Sequence, residues 1–223
     1  MKFYQFNNSH EPGTGGRWYF LILTVILSFA FYYPIQAQPL TPEDVLTMKT
    51  VSDAQISPDG QWIAYTVRVP RALTEKPGTA YSVLYLVSTK TSQIRPYITG
   101  EVNVSGVNWN PDGKSIAFLM KRGDNEKTQV WQIALSGGEA QMVTNLNTSV
   151  LQFKWSPDGK KLCYVATKPD SKKEKFLKEK GYDFTYYEEE WKHRNLYLMD
   201  ASINDPEQEP VQLTHDLTVW DFE

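Results

Sequence analysis

The chain has very little sulfur chemistry. Cys163 is its only cysteine in 223 residues, so no disulfide can form within it. A single cysteine inside a predicted strand reads as a small buried hydrophobe. The three histidines, at positions 10, 193 and 215, are scattered and lack metal-ligand spacing. There is no Gly-x-Ser-x-Gly elbow, no Gly-rich phosphate loop, no His-Glu-x-x-His and no cysteine cluster. From these residues alone no catalysis, no cofactor and no metal are expected. A net charge of −3 gives no basic signal, which argues against a nucleic-acid partner.

One device is present in three copies. Ser57-Pro58-Asp59-Gly60, Asn110-Pro111-Asp112-Gly113 and Ser156-Pro157-Asp158-Gly159 each sit between short aromatic or β-branched runs. Proline presets φ for a turn, Asp bonds back to nearby amides, and Gly takes the positive φ that closes it. Each copy therefore predicts a hairpin. Asp59, Gly60, Asp112, Gly113, Asp158 and Gly159 are expected to be structural turn residues. The copies recur at a period of roughly 40–50 residues, the length of a four-stranded propeller blade. The sequence thus predicts an all-β fold, a β-propeller of four-stranded blades.

Residues 1–37 precede the repeats. Arg17, an apolar run from Trp18 to Tyr33, and Ala37 describe a secretory signal peptide cleaved after Ala37. The alternative is an uncleaved membrane anchor, although the run is shorter than the roughly 20 residues of a full span. Only in that case is a membrane a partner, and in both the remainder is expected to be periplasmic or secreted. Residues 38–50 form a linker and a short helix. Thr41 is a suitable N-cap, Pro42 suits the first helical position, and Glu43 and Asp44 favour the positive end of the dipole. Val45, Leu46 and Met48 give this helix an apolar side.

The blades are expected at about 51–99, 104–144 and 150–214, each closing on a threonine: Thr99, Thr144 and Thr214. Residues 218–223 line up with the first strand of blade three, so a fourth blade is expected to start there, and the chain reads as the front part of a longer, truncated propeller. Blade three carries an insertion at about 167–194. It opens as a solvated charge run, Lys168 to Lys175, and then turns aromatic and acidic through Glu188-Glu189-Glu190. Long loops in compact domains are often functional, which makes this segment the best local candidate for a binding site. Adjacent carboxylates there can hold an ammonium group by charge-assisted hydrogen bonds, or can simply be a solvated acidic face.

The Ser-Pro-Asp-Gly hairpins resemble the blades of TolB-like propellers. Thr41 to Leu46 followed by Val51 to Tyr65 resembles the start of S9-family serine peptidases of the prolyl oligopeptidase superfamily, nearest the acylaminoacyl-peptidase and dipeptidyl-peptidase-5-like branch. The resemblance covers about residues 40–223. It implies a non-catalytic propeller that gates short peptides into a C-terminal α/β-hydrolase domain carrying the catalytic serine, which would be its partner. No triad residue carries over. Tyr187-Glu188-Glu189-Glu190 is similar to the segment that binds the free amino terminus in the dipeptidyl-peptidase-4-like branch, which implies a substrate-binding role for Glu189 and Glu190. Here, however, the acids run into the third strand of a blade rather than the first strand of a new one. A non-enzymatic, TolB-like periplasmic propeller that binds a protein partner is the alternative.

Overall fold

The computed structural model describes residues 39–123, 126–182, 192–201, 208–215 and 217–222. The expected signal segment 1–37 lies outside them, as do Glu189 and Glu190. A short helix α1 (Pro42–Thr47) leads into twelve strands. Its Val45, Leu46 and the following Met48 are exposed. Among the described residues no helix is long and apolar enough to cross a membrane.

Three antiparallel four-stranded sheets follow in chain order. Sheet one is β1 (Thr50–Ile56), β2 (Trp62–Val69), β3 (Tyr81–Ser88) and β4 (Ile94–Ile98). Sheet two is β5 (Ser105–Trp109), β6 (Ser115–Met120), β7 (Gln129–Ala134) and β8 (Gln141–Met142). Sheet three is β9 (Val150–Trp155), β10 (Lys161–Thr167), β11 (Arg194–Asp200) and β12 (Val211–Gln212). These are the meandering blades of a propeller, as the sequence implies. In the first strand of blade one, a bulge between Val51 and Asp53 carries the pairing with β2 back to Thr50. The outer strands β8 and β12 are only two residues long each. The insertion differs most: Lys172–Glu179 is a helix, α2, rather than a solvated charge run. Ser171 and Glu174 close a capping box, a start signal that the density of lysines hides.

The three turns repeat atom for atom in their essentials. The turn glycine donates to the carbonyl of Ser57, Asn110 or Ser156, each at 2.8 Å, and Gly60, Gly113 and Gly159 all have φ of 68°. In the first and third turns the Ser hydroxyl donates to Asp59 or Asp158 at 2.6 Å. These bonds, joined by the amides of Gln61 and Lys160, lower both carboxyl pKa values. Gly159 is doubly constrained, since a Cβ there would lie 3.0 Å from Asn110 Oδ1 of the neighbouring turn.

Alternation gives each blade two faces. Ala64, Leu84 and Leu86 of blade one meet Ile116, Phe118, Met120, Trp131 and Ile133 of blade two. The opposite face of blade two, Ala117, Leu119 and Val130, meets Leu162, Tyr164, Ala166, Tyr197 and Met199 of blade three. One aromatic pair stands in register on the second and third strands of every blade: Tyr65–Tyr85, Phe118–Trp131 and Tyr164–Tyr197. Pairs of this kind are the unit of sheet stabilisation.

The blades are joined by one recurring bond. The carbonyl at the start of a blade's third strand accepts the amide that opens the next blade. Val104 N donates to Ser82 O at 2.9 Å, Val150 N to Thr128 O at 2.8 Å, and Val219 N to Arg194 O at 2.8 Å. Residues 217–222 form no strand, but the third bond sets Val219 in register with Val150 and Val104. The closing threonines have a matching task in two blades: Thr144 accepts from Val130 N and Thr214 from Leu196 N, both at 2.9 Å. Gln129 completes the second junction. It is fully buried, donates to Leu146 O and Thr148 O, and accepts from Thr144 Oγ1 and Leu146 N. Gln129→Ala strands several buried polar groups and is expected to cost about 3 kcal/mol in urea unfolding; a loss under about 0.5 kcal/mol would contradict this role.

Candidate functional site

Two regions combine polar side chains with a built backbone frame. The first is the root of the blade-three insertion. Asp170 accepts from Lys178 Nζ at 2.9 Å and from Lys192 Nζ, and Lys192 also pairs with Glu174 at 3.1 Å. One ammonium therefore ties the strand that leaves the blade to the strand that returns. The Lys192 hydrogen bond, followed by that of Lys178, holds the Asp170 carboxyl down at about 2. The Ser171 amide and hydroxyl, followed by Lys192, hold Glu174 at about 2 as well. His193 Nδ1 lies 2.9 Å from Thr218 Oγ1, linking the end of the insertion to the segment beyond blade three. Glu189 and Glu190 fall between Tyr182 and Lys192, outside the described residues.

The second region is the line of innermost strands. Asp53 Oδ2 accepts from Val107 N at 3.3 Å, Asn108 Nδ2 donates to Phe153 O at 3.4 Å, and Gln152 donates to Asp221. A cleft of about 390 Å³ runs along these strands, lined among others by Asp53, Gln55, Asn108, Gln152 and Lys154. Counted back from each turn, these residues occupy equivalent positions: Gln55, Asn108 and Lys154 in one row, Asp53 and Gln152 in another. These two polar rows, at two-residue spacing, are visible in the sequence once the turns are aligned. Such a lining offers donors and acceptors to a peptide backbone.

The other expected residues stand where turn chemistry puts them. Asp59, Asp112 and Asp158 bind their own turn amides and do not converge on a cleft. Cys163 is half-buried and burial pushes its thiol pKa up, which keeps it protonated. Among the described residues no group of three or more His, Cys, Asp or Glu side chains could hold a metal ion.

No protein-family model matches the sequence. Over 107 residues, 48% of the chain, it is 30% identical to the uncharacterized peptidase YuxL of Bacillus subtilis. Over 84 residues, 38% of the chain, it is 36% identical to dipeptidyl-peptidase 5 of Porphyromonas gingivalis. In three dimensions, 78% of the chain superposes on 27% of the acylaminoacyl peptidase of Pyrococcus horikoshii, with a TM-score of 0.57 and 16% identity. The chain resembles the propeller portion of S9-family serine peptidases. The structural likeness shows the fold; the two sequence relatives supply the link to peptidases. The matched segments span only 16% and 12% of those relatives' own lengths.

The Asp170 cluster has a pH signature. A carboxyl held below its ordinary value of 3.8 stabilises the folded state above that pH and loses this contribution as pH falls through about 2. NMR titration is expected to find Asp170 near 2 and Lys192→Met to return it towards 3.8; an unshifted Asp170 in the parent protein would contradict the tie.

Proposed function

We propose that these residues form the non-catalytic propeller part of an exported S9 serine exopeptidase, and that this part restricts a separate hydrolase domain to short peptides. The observation that carries the reading is the 36% identity to a dipeptidyl-peptidase 5. The absence of any nucleophile motif in 223 residues suits a gating part better than a reactive one. Stacked blades form a rigid ring segment whose inner strands present polar side chains. A folded protein is too wide to pass such a lining, whereas an extended chain end can exchange its backbone hydrogen bonds for those of Gln55, Asn108 and Gln152.

In this reading Glu189 and Glu190 receive the substrate's free α-ammonium. The insertion root supports the role, because Lys192 pairs with Asp170 and Glu174 and so joins the described residues on either side of the acidic segment. Charge-assisted hydrogen bonds to an ammonium contribute about 1.5–3 kcal/mol. In the intact peptidase Glu189→Gln is therefore expected to raise KM about tenfold or more for dipeptidyl p-nitroanilides with a free amine, with kcat little changed, and to spare N-acylated substrates. Equal effects on both substrate types would remove this role. An intact protein that cleaves neither type would remove the peptidase reading altogether.

Export rests on Arg17, the apolar run from Trp18 to Tyr33, and Ala37. N-terminal sequencing of the protein from host cells is expected to begin at Gln38 in the periplasmic or secreted fraction. Recovery of an unprocessed chain from the cytoplasm would contradict export.

A further inference from the structure

The same groove recurs at both blade junctions, and its two versions differ in one informative respect. At the first junction it lies beside Met120, Arg122, Ile133 and Glu139. Arg122 fills one wall. Its guanidinium stacks 5.3 Å from the Trp131 ring centroid, donates from Nη2 to Glu139 Oε1 at 2.9 Å, and donates from Nη1 to Ala140 O at 3.0 Å. A planar cation is thus held by an aromatic face, a carboxylate and a carbonyl.

At the second junction the receptor half of this arrangement is retained. Strand register places Tyr197 where Trp131 stands and Tyr164 where Phe118 stands. The closing threonines set Glu209 and Pro210 in line with Glu139 and Ala140. The position of Arg122 is taken by Lys168, and Glu209 makes no ion pair among the described residues. The cleft here is about 420 Å³ and is lined by Tyr164, Tyr197, Gln208 and Glu209 among others.

One further polar group is unmet. The Gln208 Oε1 acceptor is buried with no hydrogen-bond partner. Tyr164 is 1% exposed and lines the same cleft. Burial holds that phenol protonated. A buried polar group without a partner costs free energy that a ligand can recover.

We infer that the blade-two/blade-three cleft binds the guanidinium of an arginine residue in a peptide, in the way that Arg122 is bound within the chain at the preceding junction. The guanidinium would stack on Tyr197 and pair with Glu209, and the residue's own amide would donate to Gln208 Oε1. Planarity, stacking and a forked set of donors favour arginine over lysine at such a site, consistent with Lys168 leaving Glu209 unpaired. The inference does not depend on the peptidase reading, because its readout is binding rather than hydrolysis.

The test is a titration of the full chain, followed by NMR or calorimetry, with N-acetyl-arginine amide as the probe. Saturable binding is expected, with N-acetyl-citrulline amide, the neutral isostere, about tenfold weaker or more. Glu209→Gln, a surface change that leaves the core untouched, is expected to weaken the arginine probe about tenfold. Lys168→Arg supplies an internal competitor and is expected to weaken it as well. Equal binding of the citrulline or lysine amide, tighter binding of agmatine than of the capped residue, or an unchanged affinity in Glu209→Gln would each overturn the assignment.

Discussion

The structure depends on the bond between the start of a third strand and the first amide of the next blade. A four-stranded blade has two apolar faces and cannot bury both alone. The seam from Ser82 to Val104, repeated from Thr128 to Val150, fixes the distance and register at which successive faces meet. Because the register is fixed, alternate residues of β2 and β3 always face those of β6 and β7, and the same holds at the next junction. Side-chain period in a strand is two, so a slip of one residue would turn every core residue outward. Gln129 and Thr144 sit behind the second seam and satisfy the amides and carbonyls that the crossing leaves over.

This regularity explains where variation can be tolerated. Turns, seams and face-to-face cores are constrained in every blade. The connection between the second and third strands is not, and blade three uses that freedom for its insertion. The helix α2 buries none of its residues. Among the described residues, the shared Lys192 ammonium joins the two ends of the insertion. Ion pairs that are this exposed contribute little stability, but they can still set direction.

Much of this was legible in the sequence. The Pro-Asp-Gly turns gave the hairpins, their spacing gave the blades, and the closing threonines marked crossings whose hydrogen bonds the structure supplies for Thr144 and Thr214. Three features were not legible in the sequence. The capping box of Ser171 and Glu174 was masked by lysines. The polar rows Gln55, Asn108 and Lys154 become visible only once the repeats are aligned residue by residue. Repeat alignment is also what brings Glu209 into line with Glu139, across turns of different length. Sites between blades are built from positions far apart in the chain, so local motifs do not reveal them.

The proposed gating ties these features to function, and substrate length tests it most directly. For the proposed peptidase, kcat/KM measured over a series of peptides sharing one N-terminal sequence is predicted to hold for short members and to fall steeply as length grows, with folded proteins spared. A kcat/KM that stays constant from dipeptidyl substrates to a folded protein would contradict the account.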